Sequence, residues 1–206
     1  MRKILTSVTA VLVLFAMLFA VGCGSEISPF KSNGTEAPLS ADVAQTIETV
    51  GGEAVAFPDT DITLIKDKKS TYKVVIGKNA TRTEKYAAEE LVYFLYQSTG
   101  CELPVITDED VEEGGHHISV GSTSLLSSAG LEPDYEELGD NGVSVYTKNE
   151  NVYIAGAAEY GTLFSVYRFL YYQIGYRAYA YDDIDYNYYN ELKLKNFDYK
   201  YRPALG

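Results

Sequence analysis

Little in this sequence could perform covalent chemistry. Its 206 residues include two cysteines, two histidines and no tryptophan. No serine or cysteine sits in a motif that would activate it as a nucleophile, and no glycine pattern matches a phosphate-binding loop. Basic residues are also scarce: 17 lysines and arginines face 29 acids, for a formal charge of −12. A surface of that sign repels nucleic acid and anionic headgroups, which excludes both as main partners. No internal repeat is present, so a solenoid or propeller is excluded as well.

What is present begins with an export signal. "MRK" supplies two positive charges, "ILTSVTAVLVLFAMLFA" an apolar run, and "AVGC" small residues immediately before Cys23. This ending resembles a bacterial lipobox, with Ala20 where leucine is more usual. In that reading Cys23 carries the lipid and becomes the first mature residue. An uncleaved anchor would use the same run, which approaches the ~20 apolar residues that span a bilayer. Either way Arg2 and Lys3 hold the N-terminus inside and the rest lies outside the cytoplasm. Removing residues 1–22 takes away two cations and no acid, so the mature charge is 15 − 29 = −14. With Cys23 committed to lipid, Cys101 is left without a disulfide partner and reads as a small buried residue behind Gly100.

Residues 23–60 are rich in Gly, Ser, Pro, Asn and Thr and read as a tether, with "SADVAQTIETV" too short for a stable lone helix. From about residue 61 the character changes to that of one domain. "DITLIKD" and "YKVVIGKN" are β-branched runs, and "VVIG" is apolar on both faces, as an interior strand requires. "TRTEKYAAEELVYFLYQSTG" switches to helical period: Ala87, Leu91, Phe94, Leu95 and Ser98 share a face, Thr81 and Glu84 have capping-box spacing, and Gly100 supplies the stop. "ELPVIT" reads as an edge strand because of Pro104, "HHISVGS" as a short strand, and "GVSVYTKNENVYIAGA" as a hairpin turning at "KNEN".

A second helix follows, in which Tyr160, Leu163, Phe164, Tyr167, Tyr171 and Ile174 form one stripe ended by Gly175. This stripe is expected to be buried against the sheet, and "YRAYAYDD" to resume period two as a final strand. The predicted fold is α+β, a mixed β-sheet with two amphipathic helices packed on one face.

The segments "AAEELVYFLYQSTGCELPVI", "ISVGST" and "VYIAGAAEYGTLFSVYRFLYYQIGYRAY" together resemble the N-terminal, non-catalytic α/β domain that precedes the catalytic barrel in α-glucuronidases, in β-N-acetylhexosaminidases and in related secreted proteins. The resemblance runs from about Ile62 to Asp183. It implies that the chain is no enzyme by itself, that it belongs to carbohydrate metabolism, and that Arg177, Tyr179 and Tyr181 face either a neighbouring barrel or a glycan. Ala178 or Tyr179 stands where those relatives often have tryptophan. The closing "FDYKYRPALG" looks like the lead-in to a barrel that this chain lacks, which would make it a fragment or a truncated product.

The other candidate sites are poor. His116 and His117 are adjacent in a strand and point to opposite faces, so they cannot share a metal. Asp183, Asp185 and Asn187 have the opening spacing of a calcium loop, but Tyr188 replaces its glycine and Leu194 its bidentate glutamate. Asp182, Asp183 and Asp185 lie too close along the chain to flank a sugar as a hydrolytic pair. No cofactor or metal is expected. A free-standing glycan-binding lipoprotein is the alternative, with Tyr179, Tyr181, Tyr186, Tyr188 and Tyr189 as a flat stacking surface; a purely structural surface protein is a third reading.

Mass spectrometry of the mature protein should show a lipidated Cys23 as the first residue. An intact Met1, or cleavage at another bond, would contradict the lipobox.

Overall fold

Residues 49–50, 53–157 and 160–203 are described by a computed structural model. The signal, Cys23 and the proposed "SADVAQTIETV" helix up to residue 48 lie outside the described residues, as do Ala158, Glu159 and residues 204–206.

The first short strands, β1 (Thr49–Val50) and β2 (Glu53–Ala54), pair antiparallel. The segment whose composition suggests a tether thus contributes to the fold, and the reason lies at Phe57. Its ring packs on Tyr172, Phe197 and Tyr199 at centroid distances of 4.8, 4.9 and 5.8 Å, joining that segment to the core. β3 (Asp59–Lys66) follows, then β4 (Lys73–Ile76), whose Val74 and Val75 are fully buried as an interior strand requires.

The helix α1 (Arg82–Thr99) forms as its sequence dictates. Thr81 Oγ1 accepts from Glu84 N at 3.2 Å while Glu84 Oε2 accepts from Thr81 N at 2.7 Å, a reciprocal capping box. Gly100 ends it at φ 68°, a left-handed conformation that a side chain would oppose. Ala87, Leu91, Phe94, Leu95 and Ser98 are all buried, as their spacing predicts. After α1 come β5 (Val105–Thr107), β6 (His117–Val120) and two short helices, α2 (Ser124–Ser128) and α3 (Tyr135–Leu138). The predicted hairpin follows as β7 (Val143–Lys148) and β8 (Asn151–Gly156), turning through Asn149 and Glu150 at φ 50° and 65°. Then come α4 (Gly161–Ile174), β9 (Arg177–Ala180), β10 (Asp183–Asp185), β11 (Glu191–Lys195) and β12 (Asp198–Tyr201).

Six strands form the main sheet in the order β12-β7-β8-β6-β4-β5. β5, β4, β6 and β8 run parallel, and β7 and β12 are antiparallel to their neighbours. Register aligns Ile76, Val120, Ile154, Val145 and Tyr199 in one row across five strands, all belonging to the main core. α1 and α4 pack on this face and against each other, so the architecture is α+β with both amphipathic helices on one side. The opposite face is partly covered by α2, where Leu126 meets Tyr153 and Ala155.

Two expectations are corrected. α4 does not bury the predicted stripe: Tyr160 and Phe164 are 50% and 43% exposed, Leu163, Tyr167 and Tyr171 are half-buried, and only Ile174 is fully enclosed. The buried face consists of Gly161, Thr162, Ser165, Val166, Phe169, Leu170, Gln173 and Ile174. Its small residues let the start of α4 approach so closely that a side chain on Gly156 would strike the Gly161 backbone. Ser165 Oγ then donates to Ala155 O at 2.6 Å.

Second, "YRAYAYDD" is not a final sheet strand. β9 and β10 form a separate two-stranded hairpin. The "FDYKY" stretch forms β12, the edge of the main sheet, with Tyr199 buried opposite Val145. β11 pairs with the distant β3 as a ribbon whose Leu64, Ile65, Leu192 and Leu194 join the main core. Gln173, buried at the end of α4, holds this ribbon by donating to Lys193 O at 2.6 Å and accepting from Lys195 N at 3.1 Å.

The two helices are further joined at their outer edge, where Tyr167 Oη donates to Glu90 Oε2 at 2.8 Å and its ring stacks on Tyr176 at 5.5 Å. Burial, followed by the Glu90 hydrogen bond, pushes the Tyr167 pKa strongly up and keeps it the donor.

Truncating Phe169, fully buried between α4 and the sheet, should cost about 3 to 5 kcal/mol, whereas Phe164→Ala should cost clearly less. Urea denaturation of the two variants checks this, and equal losses would contradict the assigned face of α4.

Candidate functional site

An open sheet with parallel strands places its ligand site beyond the carboxyl ends of the strands, where strand order reverses. Here that point lies at β4, since the chain passes from β4 to β5 on one side and from β5 to β6 on the other. The crevice is bounded by the turns 77–81 and 121–123 and by the start of α1. Main-chain N–H groups converge there, as in sites that bind phosphate or another anion.

The chain's own carboxylates occupy those donors. Besides its capping bond, Glu84 Oε1 accepts from Ser122 N at 2.7 Å. Its side chain is buried, and it fills the space above Gly121, whose φ of 78° and contact with the carboxylate leave no room for a side chain. Asp108, just past β5, takes the neighbouring pair: Oδ1 accepts from Lys78 N at 2.9 Å and Oδ2 from Ser124 N at 2.8 Å. Partial desolvation works to raise the Asp108 pKa, but the main-chain bonds from Ser124 and Lys78 outweigh it and hold the group below the ordinary aspartate value. Both carboxylates are thus turned onto main-chain donors of the chain itself. The capping role of Glu84 is legible from its spacing to Thr81; its bond to Ser122 and the position of Asp108 depend on contacts 38 and 16 residues away, which no local pattern announces.

The other predicted residues do not gather into one centre. His116 stacks on Tyr72 of the helix-side core at 5.1 Å, while His117 meets Tyr153 on the opposite side at 5.5 Å, so the two rings do face apart. Asp183 and Asp185 are both exposed on β10, and Asn187 Nδ2 donates to Tyr189 Oη at 3.4 Å. Among the described residues no group of three histidines, cysteines, aspartates or glutamates is arranged to hold a metal ion. Cys101 is buried beneath the end of α1, and burial pushes its thiol pKa up.

Arg177, Tyr179 and Tyr181 lie on the β9–β10 hairpin. Arg177 is half-buried and fixed: its guanidinium lies over the Tyr171 ring at 3.4 Å, and Nη1 donates to Tyr176 O at 2.9 Å and to Tyr171 O at 3.3 Å. Tyr179 and Tyr181 project from the same hairpin, 71% and 98% exposed. The flat tyrosine surface does not form as expected. Tyr186 packs into the core beside Phe94 and meets Tyr188 at 60°, and Tyr189 is partly buried, so of these three only Tyr188 is largely exposed.

Fold and site therefore define an α+β sheet domain whose central crevice is filled from within and whose Tyr179 and Tyr181 stand exposed on a projecting hairpin. Comparison with protein families and with curated proteins gives no match. Similar solved structures are glycoside hydrolases, at low overall similarity. A family GH115 4-O-methyl-α-glucuronidase with specificity for decorated arabinogalactans matches at TM-score 0.39 and 15% identity, over 52% of this chain and 14% of that one. A GH138 enzyme targeting pectin rhamnogalacturonan II matches at 0.32 and 19%, over 48% and 12%. The GH20 β-N-acetylhexosaminidase from Streptomyces coelicolor A3(2) matches at 0.30 and 16%, over 67% and 24%. The chain spans less than a quarter of the length of each.

Replacing Glu84 by alanine should leave the Thr81 and Ser122 amides without their acceptor and cost about 1 to 3 kcal/mol. Glu84→Gln, which keeps one carbonyl acceptor, should cost less. A thermal or urea melt separates the two, and an unchanged Glu84→Ala midpoint would contradict the bridging role.

Proposed function

We propose that this chain is a non-catalytic accessory domain of a surface lipoprotein in carbohydrate metabolism, related to the domains that precede the barrel in glycoside hydrolases. The observation that carries the non-catalytic reading is the filled crevice, where Glu84 and Asp108 consume the main-chain donors that a ligand would use. The carbohydrate context is supported by the sequence resemblance from Ile62 to Asp183, and the α+β sheet with two helices on one face is the architecture which that resemblance implies. A lipid on Cys23 would tether the domain outside the cytoplasmic membrane.

The hairpin is the surface this role would use. An isolated two-stranded hairpin is marginal in water, and this one is held at its base by Arg177 on Tyr171 while Tyr179 and Tyr181 remain bare. In the proposed arrangement Arg177 positions the hairpin, and the two tyrosines contact a catalytic barrel. Glycan binding by the same tyrosines is the alternative.

The purified chain should release no product from aryl glucuronosides or aryl N-acetylhexosaminides. Turnover that vanished on changing Asp183 or Asp185 would overturn the proposal. Tyr179→Ala and Tyr181→Ala should each shift stability by less than about 0.5 kcal/mol, as expected of residues outside the core. Glycan-array binding lost in these two variants, with the fold intact, would favour the alternative.

A further inference from the structure

The face of the sheet opposite α1 and α4 holds a feature that the proposed function does not use. A cavity of about 440 Å³ lies between the connection from β5 to β6, Leu125 of α2 and the hairpin turn 149–151. His117 forms part of its wall and is only 7% exposed. Its main-chain N–H donates to Asn151 Oδ1 at 2.8 Å, which fixes the start of β6. Its Nδ1 lies 3.4 Å from Gly115 O, so the neutral ring carries its proton there and leaves Nε2 as a bare acceptor. Nε2 is sealed from solvent and has no hydrogen-bond partner.

We propose that His117 is the trigger of an acid-released latch: protonation of its imidazole frees the connection 108–116 and α2 from this face of the sheet and opens the cavity between them.

The groups around the ring set the direction. His116, its neighbour in sequence, disfavours a second proton, while Lys73 stands in register beside His117 on β4. The Tyr153 ring from β8 and Leu125 from α2 offer no charge. Of the carboxylates lining the cavity, Asp108 is committed to Lys78 and Ser124, and Glu112 to Lys73 at 3.3 Å. Glu113 and Glu150 remain, the first on the connection and the second on the hairpin turn. A protonated Nε2 buried without an acceptor is costly, and those carboxylates become its partners only if the ring swings outward. Gly114, at φ 76° with nothing near its Cβ position, gives the connection a place to bend.

Burial lowers the His117 pKa, the Gly115 carbonyl partly offsets this, and His116 lowers it further. A folded-state value below the ordinary one means that the open form binds the proton more readily. The closed state is therefore fully favoured above the ordinary histidine value and loses that advantage as pH falls toward the lowered one.

The test follows the His117 imidazole by nitrogen NMR, and amide hydrogen exchange over residues 108–117 and 124–131, in the full chain between pH 7.5 and 5. His117 should titrate below about 6.5, and opening of those amides, corrected for the intrinsic pH dependence of exchange, should rise by up to about tenfold per pH unit beneath that value. His117→Gln and His117→Phe should abolish the rise, while His116→Gln keeps it. The same acid response in folded His117 variants would overturn the latch. Should neither variant fold, the wild-type protein decides, for titration at or above 6.5, or amides that stay closed as His117 gains its proton, contradicts the proposal.

Discussion

The Glu84 carboxylate is the interaction on which the rest of this structure depends. Three parts of the chain meet at the ends of β4 and β6: the turn leaving β4, the first turn of α1, and the turn leaving β6. Each brings main-chain N–H groups that lose water when the helix closes on the sheet, and a buried amide without an acceptor costs as much as a lost hydrogen bond. One side chain answers two of them, with Oε2 on Thr81 and Oε1 on Ser122. Asp108 performs the same service for Lys78 and Ser124 one strand away. This arrangement ties the first turn of α1 to the turns leaving β4 and β6.

The arrangement also bears on function. In an open sheet the crevice where strand order reverses is the place best prepared to hold an anionic ligand, because N–H groups and a helix start converge there. Here the anions are built in. At the β9–β10 hairpin, by contrast, Arg177 is immobilised against Tyr171 while Tyr179 and Tyr181 project from the fold, largely exposed. Among the described residues no helix is long and apolar enough to cross a membrane.

Much of the fold was legible because its signals are local. Thr81 and Glu84 announce the start of α1 and Gly100 its end, "KNEN" marks the β7–β8 turn, and Pro104 marks an edge strand. The failures share a physical cause. On α4 the large aromatics drew the apolar stripe, yet tyrosine is amphipathic and stands comfortably half in water. Close approach to the sheet required small residues, so Gly161 and Ser165 define the inner face and displace Tyr160 and Phe164 outward. β11 and β12 were missed because their pairings, with β3 and β7, span long stretches of chain, even though "ELKLK" in β11 alternates with the period of a half-buried strand. The site was less legible than the fold. Glu84 could be read as a cap, but its second bond and the whole role of Asp108 appear only once distant turns are brought together.

Amide hydrogen exchange at Thr81 and Ser122, resolved by NMR in the intact protein at neutral pH, tests the closed crevice most directly. Both amides should exchange only through opening of the α1–β6 junction, with protection approaching that of the α1 interior, and should show no shift when phosphate or simple sugars are added. Exchange at the rate of a free loop, or a saturable shift of either amide on adding phosphate or a sugar, would show the crevice to be open to ligands and contradict the account.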